Sequence, residues 1–164
     1  MKKITWISPL GPMVLVSHAG KLVFCNWEDQ ACRKKEDRIT KNFFDNEKNE
    51  EEELLQESVR QLEEYFKGKR KTFQIPLEYS GTDFQKTVWE EIRKITYGET
   101  ISYKELSVKI GKGGGMRAVA NACGANPFAI IVPCHRVVSS NGQGGYTGGI
   151  DKKIGLLNLE TELF

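Results

Sequence analysis

The sequence predicts an α/β chain in two parts, with strands leading the first and helices making up most of the second. Three observations carry this reading. Short β-rich runs broken by glycine and proline open the chain. A turn-rich boundary falls near residues 79–82, at Tyr79-Ser80-Gly81-Thr82. Beyond it, apolar residues recur three and four apart rather than two. The division is therefore residues 1–80 and 81–164, and a chain of 164 residues is long enough to bury a real core.

The opening runs are Ile4-Thr5-Trp6-Ile7, Met13-Val14-Leu15-Val16-Ser17 and Lys21-Leu22-Val23-Phe24-Cys25. Pro9-Leu10-Gly11-Pro12 and His18-Ala19-Gly20 punctuate them as turns. Residues 28–53 are charged with little periodicity and are expected as a solvated connection. Leu54, Leu55, Val59, Leu62 and Phe66 then mark a helix that stops at Gly68, and Thr72-Phe73-Gln74-Ile75-Pro76-Leu77 reads as extended.

Thr82 can cap a helix carrying Phe84, Val88, Trp89, Ile92 and Ile95, ended by Gly98. Ser102 and Glu105 form a capping box for a second helix, which buries Leu106 and Ile110 and stops at Gly111. A third, short helix runs from Met116 to Ala122, so the pair has the outline of a helix-turn-helix. Many core helix pairs share that outline. Along the third helix Ala118, Asn121, Ala122 and Ala125 share a face, with Arg117 at its start. A helix is about 10–12 Å across and the DNA minor groove about 6 Å wide, so only a helix with small side chains lies close against it. The same face would equally suit tight packing on another helix.

Charge alone excludes little. The net +2 is too small to argue for nucleic acid. Residues 102–136, however, hold Lys104, Lys109, Lys112, Arg117 and Arg136 against Glu105 alone, a modest footprint for a phosphate backbone. Scattered surface lysines account for it equally well. No apolar run reaches the length of a membrane span and the N-terminus lacks a signal peptide's apolar core, so a cytoplasmic protein is expected. Cys25, Cys32, Cys123 and Cys134 show no CxxC spacing, and only His18 and His135 could join them around zinc. Neither a disulfide framework nor a metal is expected.

The chemistry gathers around Cys134. Phe128-Ala129-Ile130-Ile131-Val132 has the composition of a buried strand, closed by Pro133 and followed by Cys134-His135-Arg136. A thiol at the end of such a run is partly desolvated, which disfavours the thiolate, so reaction near neutral pH needs a local base. His135 is adjacent. In an extended backbone neighbours face opposite ways, so a bridging water would link them. A buried inert cysteine beside a surface histidine fits the pattern as well. Downstream, a helix capped by Asp151 would set Lys153, Leu157 and Glu160 on one stripe, from which Glu160 can orient an imidazole or reach solvent. Between these lies the glycine-rich loop 141–149, whose backbone can approach a ligand closely but which lacks the order of a P-loop.

These residues together closely resemble the O6-alkylguanine-DNA alkyltransferases. The resemblance rests on Pro133-Cys134-His135-Arg136-Val137, Tyr146-Thr147-Gly148-Gly149, Asn126-Pro127, Leu156-Leu157 through Glu160, Tyr97-Gly98-Glu99-Thr100 and Ser102-Tyr103. It is strong over residues 82–160 and looser over 1–80, where strand-then-helix order and Tyr65-Phe66-Lys67-Gly68 agree. It implies an RNase H-like N-terminal α/β domain and a C-terminal helical domain with a winged helix-turn-helix. It implies irreversible, single-turnover transfer of the alkyl group from O6-alkylguanine, and by extension O4-alkylthymine, in duplex DNA. On this chain Cys134 resembles the acceptor, His135 its base through water, Glu160 the residue orienting His135, and Tyr103 the donor to the departing base. Arg117 matches the finger that fills the gap left by the flipped nucleotide, with Ala118, Asn121 and Ala122 at the minor groove. Asn126 resembles a hinge residue, Tyr146, Thr147 and Gly148 pocket residues, and Lys153 a lysine near the pocket. No cofactor is implied, and the partner is double-stranded alkylated DNA bound by a monomer.

The chain departs from the family pattern at Gly113-Gly114-Gly115, where relatives often carry Pro and Ala before the arginine; glycines weaken a helix start. It also lacks the N-terminal Cys and His set with which some relatives bind zinc. Two other classes of protein share parts of this pattern. Alkyltransferase-like proteins share the pattern and bind damage without repairing it, but carry tryptophan where this chain has Cys134. A Cys-His hydrolase would need an oxyanion site that the sequence does not offer.

Overall fold

The computed structural model describes residues 1–41, 43, 49–111 and 115–162. The chain divides into two compact units, Met1–Ser80 and Gly81–Phe164.

In the first unit β1 (Lys2–Ser8), β2 (Gly11–His18) and β3 (Lys21–Trp27) form an antiparallel sheet in the order β1-β2-β3. Register is set by pairs such as Trp6 with Met13 and Leu15 with Cys25. From Met13 to Ser17 every residue of β2 is buried, which is why that run reads as continuously apolar rather than alternating. The segment expected as extended at 72–77 touches the sheet at one point. Leu77 bridges Leu22 in parallel, and Leu22 N–H donates to Pro76 O at 2.8 Å.

Of the solvated connection expected over 28–53, the described part is corrected by two helices, while residues 42 and 44–48 lie outside the described residues. α1 (Gln30–Thr40) begins at Asp29, whose carboxylate accepts from Cys32 N–H at 2.8 Å. Its buried side is Cys32, Lys35, Glu36 and Ile39, so half of the packing stripe is written in charged residues. Their aliphatic stems cover apolar surface, and Glu36 pairs with Lys3 at 2.6 Å. A hydrophobicity pattern cannot register such a stripe. α2 (Asn49–Phe66) starts earlier than Leu54 because Glu50, Glu51 and Glu52 complement the positive end of the helix dipole. Its seam is Leu55, Ser58, Leu62 and Tyr65, all fully buried, rather than Leu54, Val59 and Phe66.

The second unit opens with α3 (Asp83–Arg93), started by a Thr82–Gln85 capping box. Val88, Trp89 and Ile92 are its buried stripe, and Trp89 Nε1–H donates to Ala122 O at 2.8 Å. Its helix ends at Arg93, before the Gly98 stop, because Ile95 N–H already turns back to Ile92 O. The two-residue strands β4 (Ile101–Ser102) and β5 (Val137–Val138) pair in parallel. α4 (Tyr103–Lys109) begins with the Ser102–Glu105 capping box. Gly111, at φ 73°, turns the chain where a residue with a Cβ would be strained. α5 (Met116–Gly124) follows. Of the glycine run, Gly113 and Gly114 lie outside the described residues, and Gly115 is an N-cap with no side-chain hydrogen bond. α6 (Ile150–Glu162) closes the described chain. Its buried stripe is Lys153, Leu156 and Glu160, so Leu156 takes the core position expected of Leu157. Among the described residues no helix is long and apolar enough to cross a membrane.

Candidate active site

Cys134 is positioned by the turn that precedes it. Residues 128–132 are buried, yet they do not form the expected strand. Ile131 N–H bonds Ala129 O at 2.8 Å and Val132 N–H bonds Phe128 O at 3.0 Å, with Ile130 at φ 71°. A β-branched residue at positive φ is strained and needs its surroundings to hold it. Asn126, 2 % exposed, does so. Its Oδ1 accepts from Phe128 N–H at 2.9 Å, and its Nδ2 donates to Val132 O at 2.8 Å and Phe128 O at 3.2 Å. One side chain thus supplies the partners a neighbouring strand would have provided. The same Nδ2 lies 3.2 Å from Cys134 Sγ. Replacing Asn126 with Ala should strand buried backbone groups and cost about 1–3 kcal/mol, read by chemical denaturation. A loss no larger than that of an ordinary surface substitution would remove this role.

Cys134, His135 and Arg136 form one turn of 3-10 helix, not an extended segment. That geometry leaves the thiol at the pocket and brings the two basic side chains together on Glu160. Cys134 is half-buried, whereas His135 and Arg136 are 0 % and 4 % exposed. His135 Nε2 sits 2.7 Å from Glu160 Oε1. Arg136 donates through Nε to Glu160 Oε2 and through Nη2 to Glu160 Oε1, both at 2.9 Å, and through Nη1 to Ile95 O at 2.7 Å. Gly98 N–H adds a contact to Glu160 Oε2 at 3.3 Å. Burial would raise the Glu160 carboxyl, but the hydrogen bonds from His135 and Arg136 outweigh it and hold the group well below the usual carboxylate range. An ionised Glu160 accepts, so His135 carries its proton on Nε2 and leaves a lone pair on Nδ1, a buried atom without a hydrogen-bond partner among the described residues. Burial pushes His135 down, and Glu160 pushes it back only in part, so the ring is neutral near pH 7.

Arg136 is the residue the sequence reading misplaced. Counted with the basic surface of 102–136, it is buried and pairs with the carboxylate, so the exposed positive charge there is smaller than the sequence implied. Its one signal was adjacency to Cys134 and His135.

The thiol opens on a pocket of about 470 Å³ lined by Tyr103, Cys123, Cys134, Ser139, Tyr146 and Thr147 among others. Burial pushes the Tyr103 phenol up to about 12, so it remains a proton donor at neutral pH. Gly144, at φ 74°, leaves room for that ring, since a Cβ there would meet Tyr103 Cε2 at 3.0 Å. Thr147 Oγ1 donates to Gly124 O at 3.1 Å, tying the glycine-rich loop to α5. Gly148 is buried, and its carbonyl accepts from Lys152. Lys153 is fully buried, with Nζ on Val137 O at 2.6 Å and Gly145 O at 3.1 Å and 5.8 Å from the Tyr103 ring centroid. On α5, Arg117, Ala118 and Asn121 are exposed. Ala122 is a correction: it is 2 % exposed and packs inward above Trp89, so it cannot present a face to a partner.

Fold and site together define a cysteine-centred pocket built onto a helix-turn-helix unit. The family descriptions "6-O-methylguanine DNA methyltransferase, ribonuclease-like domain" and "6-O-methylguanine DNA methyltransferase, DNA binding domain" match residues 1–79 and 83–162. A methylated-DNA–protein-cysteine methyltransferase of Methanosarcina barkeri is 44 % identical over 154 residues, 93 % of this chain and 92 % of that protein. One from Mycobacterium tuberculosis is 40 % identical over 154 residues, 93 % of this chain and 88 % of that protein. The crystal structure of Mycobacterium tuberculosis OGT in complex with DNA superposes with a TM-score of 0.84 at 38 % identity, covering 98 % of this chain and 93 % of that one. The chain belongs to the methylated-DNA–protein-cysteine methyltransferase family, with a ribonuclease-like N-terminal domain and a C-terminal DNA-binding domain.

Proposed function

We propose that this protein repairs O6-alkylguanine in duplex DNA by moving the alkyl group irreversibly onto Cys134, and O4-alkylthymine by the same chemistry. The observation that carries the proposal is the pairing of a half-buried thiol at a pocket wall with a buried imidazole whose other nitrogen is held by Glu160. His135 Nδ1, the nitrogen left with a lone pair, takes the thiol proton through a water, and Glu160 stabilises the imidazolium that forms. The thiolate attacks the alkyl carbon, the carbon–oxygen bond breaks, and its electron pair leaves with the guanine. Tyr103 donates to the base as it departs. The product is a thioether, which neither water nor thiols cleave readily, so each molecule acts once. Asn126 holds the turn beneath the thiol, Tyr146 and Thr147 line the pocket, Gly148 lies buried behind that lining with its carbonyl on Lys152, and Lys153 braces the loop through the Val137 and Gly145 carbonyls.

The DNA surface in this reading is the exposed side of α5, with Ala118 and Asn121 against the minor groove and Arg117 in the gap left by the flipped nucleotide. The protein acts as a monomer in the cytoplasm, with no cofactor or metal. Incubation with DNA containing O6-methylguanine, followed by peptide mass spectrometry, should find one equivalent repaired and one methylene added to the Cys134 peptide. Turnover beyond one equivalent, or an unmodified Cys134, would overturn the proposal. Arg117→Ala should slow repair of duplex DNA far more than reaction with free O6-benzylguanine. Equal losses on both substrates would remove the finger role.

A further inference from the structure

Cys123 is a second thiol in the pocket wall, and the alkyl-transfer scheme gives it no task. It sits in the last turn of α5, 7 % exposed. Asn126 links it to Cys134. The Asn126 backbone N–H bonds Cys123 O at 3.2 Å, while its side chain reaches Cys134 Sγ at 3.2 Å. Both thiols line one cavity, and Tyr103 lines it with them. We propose that Cys123 and Cys134 form a dithiol site that binds trivalent arsenic in this pocket, closing off the alkyl acceptor.

The chemistry of the two thiols selects arsenic(III) over other thiol ligands. Burial, and after it the neighbouring Cys134, push the Cys123 thiol well above its ordinary range. A divalent cation needs both thiols deprotonated, which such a setting resists. A disulfide needs a two-electron oxidant and close backbone approach. An arsenical needs neither: an aryl arsenic oxide condenses with two thiols to give two As–S bonds and one water, both thiol protons leaving on the arsenic-bound oxygen. No net charge is created and nothing is oxidised or reduced. The pocket, about 470 Å³ and formed largely by small and aromatic residues, has room for a phenyl group on the arsenic. Lys153 Nζ, already held by two carbonyls, does not compete for the sulfurs.

The inference shares the pocket of the proposed function, but its test is direct binding and does not depend on alkyl transfer. The unmodified protein is titrated with phenylarsine oxide, and the adduct is followed by intact mass and mapped by proteolysis. One phenylarsenic per chain is expected, on the tryptic peptide that holds both Cys123 and Cys134 and still joining the two halves after chymotryptic cleavage at Phe128. It should survive excess glutathione and be released by 2,3-dimercaptopropanol. Cys123→Ser and Cys134→Ser should each retain the arsenical at least about tenfold less well, because a second tethered thiol acts at high effective concentration. An adduct on Cys25 or Cys32, or equal retention by either variant, would overturn the proposal. The peptide map in the unmodified chain decides the matter even if a variant folds poorly. Repair measured without arsenical reports separately on the proposed function.

Discussion

Cys134→Ala should abolish alkyl transfer completely while leaving the fold and DNA binding nearly untouched. The residue is half-buried, and of the contacts by which Asn126 holds the turn beneath it only the weak one to Sγ is lost, those to Val132 O and Phe128 O remaining. Losing Sγ should therefore cost no more than about 1 kcal/mol by denaturant titration. The effect on chemistry is of another order, because the acceptor atom itself is gone. Methylated DNA incubated with the variant should retain all of its O6-methylguanine, yet be bound with affinity within a few-fold of the unmodified protein. Cys134→Ser sharpens the test. A hydroxyl is far harder to deprotonate than a thiol, and one buried imidazole cannot make up the difference, so the serine variant should be as inert as the alanine. Methyl transfer in either variant, to Cys123 or elsewhere, would show that Cys134 is not the acceptor.

Where the sequence was legible, local physics determined the element. Thr82–Gln85 and Ser102–Glu105 are capping boxes whose reciprocal hydrogen bonds need only four residues, and both form. β2 and β3 are apolar enough to be read as strands outright. Reading failed where partners lie far apart in sequence. Lys35 and Glu36 look like solvated charges until Lys3, in strand β1, is seen beside Glu36. The run 128–132 has strand composition, but Asn126 satisfies its backbone and folds it into a turn. Likewise, Cys134 and His135 were expected on opposite faces of an extended segment, whereas the 3-10 turn buries His135 against Glu160 and leaves the thiol at the pocket. The resemblance named Cys134, His135 and Glu160, but no spacing announced that Arg136 would spend its whole guanidinium on Glu160 and Ile95 O.

That guanidinium makes Glu160→Ala the most damaging substitution expected outside the acceptor itself. Glu160, 1 % exposed, is the shared anion for a buried imidazole and a buried guanidinium. Removing it leaves Arg136 charged and uncompensated in the interior, an event that typically costs about 3–5 kcal/mol. Glu160→Gln keeps the shape and one acceptor, so it separates folding from chemistry. It should fold better than the alanine variant, yet lose roughly 100- to 10,000-fold in transfer rate, the range a positioned base contributes. Without the negative charge less offsets burial at His135, whose basicity falls further, and its proton is held on Nε2 less firmly. The pH dependence carries a second signature. His135 is depressed in the folded state, so the unfolded chain takes up a proton first and stability declines as pH falls below about 6.5. Glu160 is depressed as well, so its contribution is full above the ordinary carboxylate pKa of about 4.3 and is lost as pH falls further. The unmodified protein should therefore weaken in two acid steps, and Glu160→Gln should shrink the lower step, to which Glu52, Glu57 and Glu105 still contribute, while keeping the upper. A variant whose stability still falls below pH 4.3 as steeply as the unmodified protein's would show that Glu160 is not the group being titrated.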